Sequence, residues 1–551
     1  MLDVFIEELS NYKTDHAFHS LENEWYKDVT VYSLYVDLFN NNFQGLESKL
    51  DYLKDLGISC LWLLPILNSP MRDAGFDISD YKKIRPDLLS TTADTNQQEE
   101  FVSFINKAHK NGIKIIFDIA VNHTSNEHFW FQKAKKSKDN PYRDYYIWSK
   151  DVDKYNDARI IFKGIEKSNW KKEGEEYFFH RFFDFQPDLN YRNPKVLLEM
   201  TWNFLYWLKF GVDGFRVDAI PYLWKEEGTD CENLPQAHSV LKFFRKVLDF
   251  IRPNTLLLAE ACQKPFEVVK YFGDGDECHA AYHFPLMPQI FKSMASKSRE
   301  PVINVLSKDV TPGIPQTCQW FTFLRCHDEL SLELVYVTEE DRKFIHEQYC
   351  KQTEWDFRLG QGISARLAEL MDNNHKKIVL SYSIMLTLPG TPVIYYGDEF
   401  GKLNDIAYYN EMIKLTAKDD TRFLVRGRID WEWLQRELQQ KDSFAAKVFF
   451  QLQKQIQTRN RYKVFGRGDI QYLEAISKND HIMDSVLMYS RKIDGKHIII
   501  INNLSEKDIW IKIPDNKISD LDTDLLGNQI VLKKEENLLF LPAYGYLWAK
   551  I

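Results

Sequence analysis

Four apolar runs along the chain each end at a carboxylate. They read IIFDIAVNH (115–123), GFRVDAI (214–220), LLLAEA (256–261) and FLRCHDE (323–329). Continuous apolar runs of this length are typical of strands buried on both faces, as in parallel α/β sheets. In such folds the reactive groups cluster at the carboxyl ends of the strands. We therefore expect four acids to share one mouth: Asp118, Asp218, Glu260 and Asp328.

Strand-like and helix-like segments alternate over most of the chain. The strand-like segments are 29–39, 60–66, 113–121, 213–220, 255–261, 280–286, 319–329 and 391–399. Eight strands with helices between them predict an α/β fold of the (β/α)8 barrel type. The alternative, a doubly wound open sheet, gathers its reactive groups near one switch point instead of spreading them over many strands.

Two segments interrupt or follow this alternation. Residues 124–190 form a long polar and aromatic insertion, and short β-type runs separated by turns begin near residue 468. A chain of 551 residues also exceeds the size at which a single core stops growing. We expect a barrel domain (1–123 and 191–467), an inserted B domain (124–190) and a C-terminal antiparallel β-sandwich (468–551).

Composition excludes several classes of function. A net charge of −9 argues against a nucleic-acid partner. The seven cysteines contain no C-x-x-C pair, so neither a zinc site nor a disulfide framework is indicated. The start of the chain lacks a basic and apolar leader pattern, and no apolar run reaches membrane-spanning length. We expect a cytoplasmic enzyme without a membrane partner.

The neighbours of the acids suggest how they divide the chemistry. Arg216 shares a strand face with Asp218 and would keep it ionised, as a nucleophile requires. Glu260 lies between alanines, and apolar surroundings raise a carboxyl pKa, as a proton donor requires. His327 and Asp328 could bind sugar hydroxyls or stabilise an oxocarbenium ion. Each group has a structural alternative when it is taken singly. Arg216 and Asp218 could form a buried ion pair, Glu260 could be a solvated loop residue, and His327 and Asp328 could form a structural hydrogen bond.

As an ordered set, the four runs and Gly75-Phe76-Asp77 resemble the α-amylase family of retaining α-glucosidases and α-transglucosidases, from residue 25 to about 400. The resemblance implies a (β/α)8 barrel with a B domain and a C-terminal β domain. It also implies that Asp218 is the nucleophile, Glu260 the acid/base and Asp328 the transition-state stabiliser. The residues implied to grip the reacting glucose are Phe76, Asp77, His123, Arg216 and His327. Phe76 and Cys326 stand where the family usually has Tyr and Asn.

Segments 220–242 and 271–291 bear a particular likeness to the trehalose synthase subfamily, which isomerises maltose through a covalent β-glucosyl-aspartate. The segment after the eighth strand resembles an amylosucrase-type loop instead. That likeness implies that Arg426, or else Arg422, pairs with Asp77 and closes the glucose pocket. The small Ala219 goes with α-1,4 bonds in related enzymes. The alternatives are a hydrolytic α-1,4-glucosidase or α-amylase and, thirdly, a non-catalytic carbohydrate-binding protein.

The resemblance requires no cofactor for the chemistry, and the partner it implies is maltose or the end of an α-1,4-glucan. It places a structural calcium ion on four residues: Asn122, Asp188, Tyr222 and Leu223. Lys225 stands where an acidic residue is expected near that site, which argues against calcium.

Overall fold

The computed structural model contains a closed barrel of eight parallel strands, so the predicted (β/α)8 barrel is confirmed. It describes residues 2–90, 94–162, 164–416, 418–512, 523–527, 532–533 and 538–550. The barrel strands are β1 (Val31–Leu34), β2 (Cys60–Leu63), β3 (Lys114–Ala120), β4 (Gly214–Asp218), β5 (Leu256–Ala259), β6 (Ala280–Tyr282), β7 (Gln319–Phe323) and β8 (Thr391–Tyr395). They follow one another around the barrel in chain order, and β8 pairs with β1.

Helices alternate with these strands and cover the outside of the barrel. The helices of five or more residues are Leu2–Asp15, Val36–Asn40, Phe43–Glu47, Leu50–Leu56, Asp94–Lys110, Phe129–Ala134, Pro194–Leu208, Pro235–Ile251, Leu286–Ser296, Glu300–Val305, Glu339–Tyr349, His375–Thr387, Ile406–Thr416, Trp431–Gln439 and Phe444–Arg461. Among the described residues, none of the helices is both long and apolar enough to cross a bilayer.

All eight predicted strands run longer than the observed ones, and two of them extend into α-helices. The segment predicted as a strand over 29–39 leaves the sheet after Leu34 and turns into the helix Val36–Asn40. The segment predicted over 280–286 ends as a strand at Tyr282, and a helix begins at Leu286. Pro285 stands just before that helix, where its fixed φ angle suits a helix start and its missing N–H costs nothing.

The register of β3, β4 and β5 brings the charged residues of these strands side by side. Arg216 on β4 is paired with Asp118 on β3 and with Leu258 on β5. A side chain at Gly214 would place its Cβ 2.5 Å from Leu256 Cβ, so only glycine permits the close approach of β4 and β5. The carboxyl ends of the three strands therefore meet at one level.

The insertion between β3 and the helix Pro194–Leu208 carries a small antiparallel sheet. Its strands are Trp148–Ser149, Trp170–Glu173 and Glu176–Phe179. Many of its rings pack on one another, as Phe131 does on Trp148 and Phe178. Phe131 and Phe178 belong to the core that the insertion shares with the barrel, whereas Phe162, Phe183 and Phe185 form a separate aromatic cluster within the insertion.

Two antiparallel sheets follow the barrel. One contains Asp469–Leu473, Val486–Ile493, Lys496–Asn503, Thr523–Asp524 and Tyr546–Lys550; the other contains Ile476–Ser477, Ile509–Lys512, Leu532–Lys533 and Leu538–Leu541. Alternate side chains such as Met488, Ile501 and Leu539 form an apolar core between the sheets. The opposite face of the first sheet contacts the barrel, where Trp548 Nε1 donates to Ser383 Oγ at 2.9 Å. The predicted domain 468–551 also includes residues outside those described.

Candidate active site

A cavity of about 710 Å³ opens at the carboxyl ends of the barrel strands. Its lining includes Asp218, Glu260 and Asp328, so the structure brings these three acids together. Phe182 of the insertion also lines it, together with Phe162. A concave site with converging acids and aromatic walls is suited to holding a sugar ring.

Arg216 is the hub of the acidic cluster. Its Nη1 lies 2.8 Å from Asp118 Oδ1 and 2.5 Å from Asp218 Oδ1, and its Nη2 lies 3.1 Å from Glu260 Oε1. The far oxygen of Asp118 accepts from Trp62 Nε1 at 2.8 Å. One guanidinium therefore orients three carboxylates that come from three adjacent strand ends.

The protonation of the cluster differs from the expectation that Arg216 simply keeps Asp218 ionised. Burial raises the pKa of Asp218 well above its usual range; Arg216 opposes this, while Glu260 and Asp118 add to it. Burial likewise raises the pKa of Asp118 to about 6. One positive charge does not balance three carboxylates, two of them buried, so the cluster keeps a proton at a pH where isolated carboxylates have lost theirs.

The expected apolar surroundings of Glu260 are not found, because Arg216 reaches it from the neighbouring strand. Its second oxygen, Oε2, accepts the backbone N–H of Ala219 at 3.0 Å. Ala219 directly follows Asp218 and has a φ of +61°. Sequence neighbours alone do not reveal these contacts, since they depend on the register of β4 and β5.

Two arginines and a histidine surround the carboxylate of Asp328. Its Oδ1 accepts from Arg426 Nη2 at 2.9 Å and from Arg422 Nη1 at 3.1 Å, and its Oδ2 lies 3.1 Å from His327 Nε2. Burial alone would raise the pKa of Asp328, but His327 and the two arginines outweigh it and hold that pKa well below its usual value. Both arginines thus contact Asp328, and the expectation that either pairs with Asp77 is wrong.

Asp77 is fully buried and is not among the residues that line the cavity. Its carboxylate accepts from Ser69 Oγ at 2.8 Å and from the backbone N–H groups of Arg72 and Asp73, at 3.2 and 3.1 Å. The carboxylate of Asp73 lines the cavity instead. Asp73 was missed by the sequence analysis, although it lies in the same polar loop as the Phe76-Asp77 pair that was singled out.

The remaining sugar-binding candidates do line the cavity. Phe76 stacks against His327 with ring centroids 5.6 Å apart. His123 lies beside Gln186, with 3.3 Å between His123 Nε2 and Gln186 Nε2. Burial lowers the pKa of His123, and it lowers that of His327 to about 3. Both imidazoles are therefore neutral at ordinary pH, able to donate one hydrogen bond and accept another.

The residues expected to hold calcium do not fit that ion. Lys225 Nζ lies 2.6 Å from Asp188 Oδ2 and 2.8 Å from Asn122 Oδ1. The side chains of Lys225 and Asp188 are 2% and 0% exposed. The two oxygens that a calcium ion would use thus hold an ammonium group. Tyr222, a third member of the expected set, lines the substrate cavity, and Leu223 is buried.

Fold and site together define a (β/α)8-barrel enzyme whose centre is built from carboxylates for work on α-glucosides. The family model for the α-amylase catalytic domain matches residues 38–468. The chain belongs to the α-amylase family.

Relatives and solved structures agree with this assignment. The trehalose synthase/amylase TreS of Mycobacterium tuberculosis is 38% identical over 96% of this chain and 90% of its own length. The trehalose synthase of a Pimelobacter strain is 43% identical over 70% of this chain and 68% of its own. The crystal structure of α-amylase from H. orenii superposes with a TM-score of 0.72 at 24% identity, covering 95% of this chain and 99% of that one, which supports the fold alone.

Proposed function

We propose that the protein is a retaining α-transglucosidase that converts maltose into trehalose. Two relatives that match most of the chain carry the name trehalose synthase. The arrangement of acids around Arg216 supports the retaining chemistry, because nucleophile and proton donor are held on one guanidinium and hence close together.

In the first step, the proton that the cluster keeps lies on Glu260, and an oxygen of the ionised Asp218 attacks C1 of the non-reducing glucose. As the C1–O bond breaks, its electron pair stays on the glycosidic oxygen, which takes the proton of Glu260. The product is a β-glucosyl ester of Asp218 and a free glucose. Asp328, held ionised by its arginines, stabilises the positive charge that develops at C1.

In the second step, the free glucose turns and presents its anomeric hydroxyl. The ionised Glu260 accepts the hydroxyl proton, the oxygen attacks C1 from the α face, and the bond to Asp218 breaks. An α,α-1,1 linkage results. Both inversions occur at C1, so the α configuration is retained overall.

The observation that carries this proposal is a contact between two residues of the cavity lining, one on a loop of the barrel and one on the insertion. Arg358, in the loop between β7 and β8, places its guanidinium 4.6 Å from the ring centroid of Phe162 on the insertion. The same arginine lies 3.9 Å from Glu333. A cavity bridged in this way holds the freed glucose and limits the entry of water, as transfer requires.

The test is incubation of the purified protein with maltose, followed by NMR of the anomeric protons. Trehalose should accumulate, and the amount of free glucose should stay below the amount of trehalose. Glucose without trehalose would overturn the proposal.

The second candidate is hydrolysis by an α-1,4-glucosidase or α-amylase, which is favoured because the Mycobacterium tuberculosis relative carries the name trehalose synthase/amylase. Maltotetraose and starch separate the two functions. An isomerase whose pocket is bridged by Arg358 and Phe162 leaves long chains intact, whereas an amylase degrades them.

We also infer that the reaction takes place in the cytoplasm. All seven cysteines are free, as a reducing compartment would keep them. The chemistry needs no cofactor, and we propose that the protein does not depend on calcium.

A further inference from the structure

Cys262 lies beside the carboxylate of Glu260. Its Sγ is 3.5 Å from Glu260 Oε1, within hydrogen-bond reach for a thiol. Cys262 lines both the main cavity and a smaller one, of about 80 Å³, that adjoins Arg216 and Glu260. The mechanism above assigns Cys262 no role.

The thiol acts as a hydrogen-bond donor. Burial raises the pKa of Cys262 well above its ordinary value, and the charge of Glu260 raises it further. Tyr336 lies near this sulfur and lines the same small cavity. Burial also raises the pKa of Tyr336, so this hydroxyl keeps its proton. Cys262 therefore donates to Glu260 and has the protonated hydroxyl of Tyr336 as a neighbour.

The other contacts of Glu260 explain why such a donor matters. Oε2 is held by the Ala219 N–H, whereas Oε1 meets Arg216, which also binds two other carboxylates. The backbone turn that carries the thiol is itself fastened, because Gln263 Nε2 donates to Glu232 Oε2 at 2.8 Å. The thiol is thus a fixed hydrogen-bond donor to Glu260 Oε1. The other partner of that oxygen, Arg216, is shared with Asp118 and Asp218.

We propose that Cys262, supported by Tyr336, is a positioning residue that sets the orientation of the Glu260 carboxyl group for proton transfer. The thiol proton stays on sulfur throughout. The proton that moves is that of Glu260, which passes to the glycosidic oxygen as the C1–O bond breaks and returns from the incoming hydroxyl. This inference rests on the acid/base role of Glu260 proposed above.

The test compares two substrates that differ in their need for an acid. Maltose loses a poor leaving group that must be protonated, whereas α-glucosyl fluoride loses fluoride with little help. General acid catalysis accelerates such reactions roughly 10²–10⁴-fold. We expect Cys262→Ala to forfeit part of that acceleration, so that kcat/KM for maltose falls about 10-fold. For α-glucosyl fluoride we expect a loss of no more than about 2-fold on the same reasoning.

Two more variants and a control sharpen the comparison. Cys262→Ser keeps a donor at this position and should recover most of the activity on maltose. Tyr336→Phe should show the same preference for the fluoride more weakly, and it tests the support that Tyr336 gives to Cys262 even if Cys262→Ala folds poorly. Cys350→Ala removes a thiol outside the cavity lining and should change neither rate. Thermal unfolding shows which variants are folded.

Equal losses on both substrates, or no loss on either, would overturn the inference. Glu260→Gln tests the proposed acid role of Glu260 separately from the role of Cys262. This variant should lose far more activity on maltose than on the fluoride. If Glu260→Gln does not discriminate, Glu260 is not the acid. If it does discriminate while Cys262→Ala does not, only the role of Cys262 falls.

Discussion

Lys225 holds Asp188 through a contact of 2.6 Å between its ammonium nitrogen and Asp188 Oδ2. The same nitrogen lies 2.8 Å from Asn122 Oδ1, next to the cavity residue His123. A single lysine therefore joins the end of β3, the end of the insertion and the loop after β4. The Lys225 ammonium group, which is part of the chain, supplies the positive charge that a bound calcium ion would otherwise supply at this site.

The first prediction is that chelators leave the protein unaffected. The melting temperature and the activity on maltose should be the same in excess EDTA and in millimolar calcium, because the ammonium group cannot be extracted. A melting temperature that falls in EDTA and recovers with calcium would contradict this.

The second prediction concerns the loss of that ammonium group. Lys225→Met leaves Asp188 buried and unpaired, which costs roughly 3–5 kcal/mol of the free energy of unfolding. Denaturant unfolding measures this cost. Lys138→Met is the matched control, since the Lys138 side chain is 59% exposed and its removal should cost little. Equal stabilities of the two variants would show that the buried pair contributes nothing.

Much of the fold and part of the site could be predicted from the sequence. A strand buried on both faces is expected to be apolar throughout, so Asp118 within β3, Asp218 at the end of β4 and Asp328 shortly after β7 stand out. The partners of those acids could not be predicted in the same way. The contact between Arg216 and Glu260 depends on the register of two strands, and the arginines on Asp328 come from a loop whose path no periodicity specifies.

The third prediction is a pH-dependent effect on stability at Glu329. Burial raises the pKa of Glu329 to about 7, and Asp328 adds to the rise. Because the folded state holds the proton more tightly than the unfolded state, this contribution to stability is complete below about pH 4.5 and is lost as the pH rises through 7.

Glu329→Gln carries no charge at any pH. Its melting temperature relative to the natural protein should therefore be higher at pH 8 than at pH 5. The exposed Glu340→Gln should show no such difference between the two pH values. A Glu329→Gln effect that does not change with pH would contradict the assignment.

The fourth prediction ranks the two arginines on Asp328. Arg426 contacts Asp328 and also donates from Nε to the backbone oxygen of His327 at 2.8 Å. Arg422 makes one contact with Asp328 and is otherwise held by Asp420. A hydrogen bond to a charged group contributes roughly 1.5–3 kcal/mol, so Arg426→Lys should lower kcat/KM on maltose about 100-fold and Arg422→Lys about 10-fold. Steady-state kinetics give the ranking, and the reverse order would refute it.

The central claim is that C1 of a glucose becomes bonded to Asp218, and trapping that ester tests it most directly. In Glu260→Gln, a 5-fluoroglucosyl fluoride can still transfer its sugar, because fluoride leaves without an acid, but the ester persists for lack of a base. Mass spectrometry of the digested protein should find one added fluorohexosyl group, on the peptide containing Asp218. An unmodified protein, or a sugar attached to Asp118 or Asp328 instead, would contradict the account.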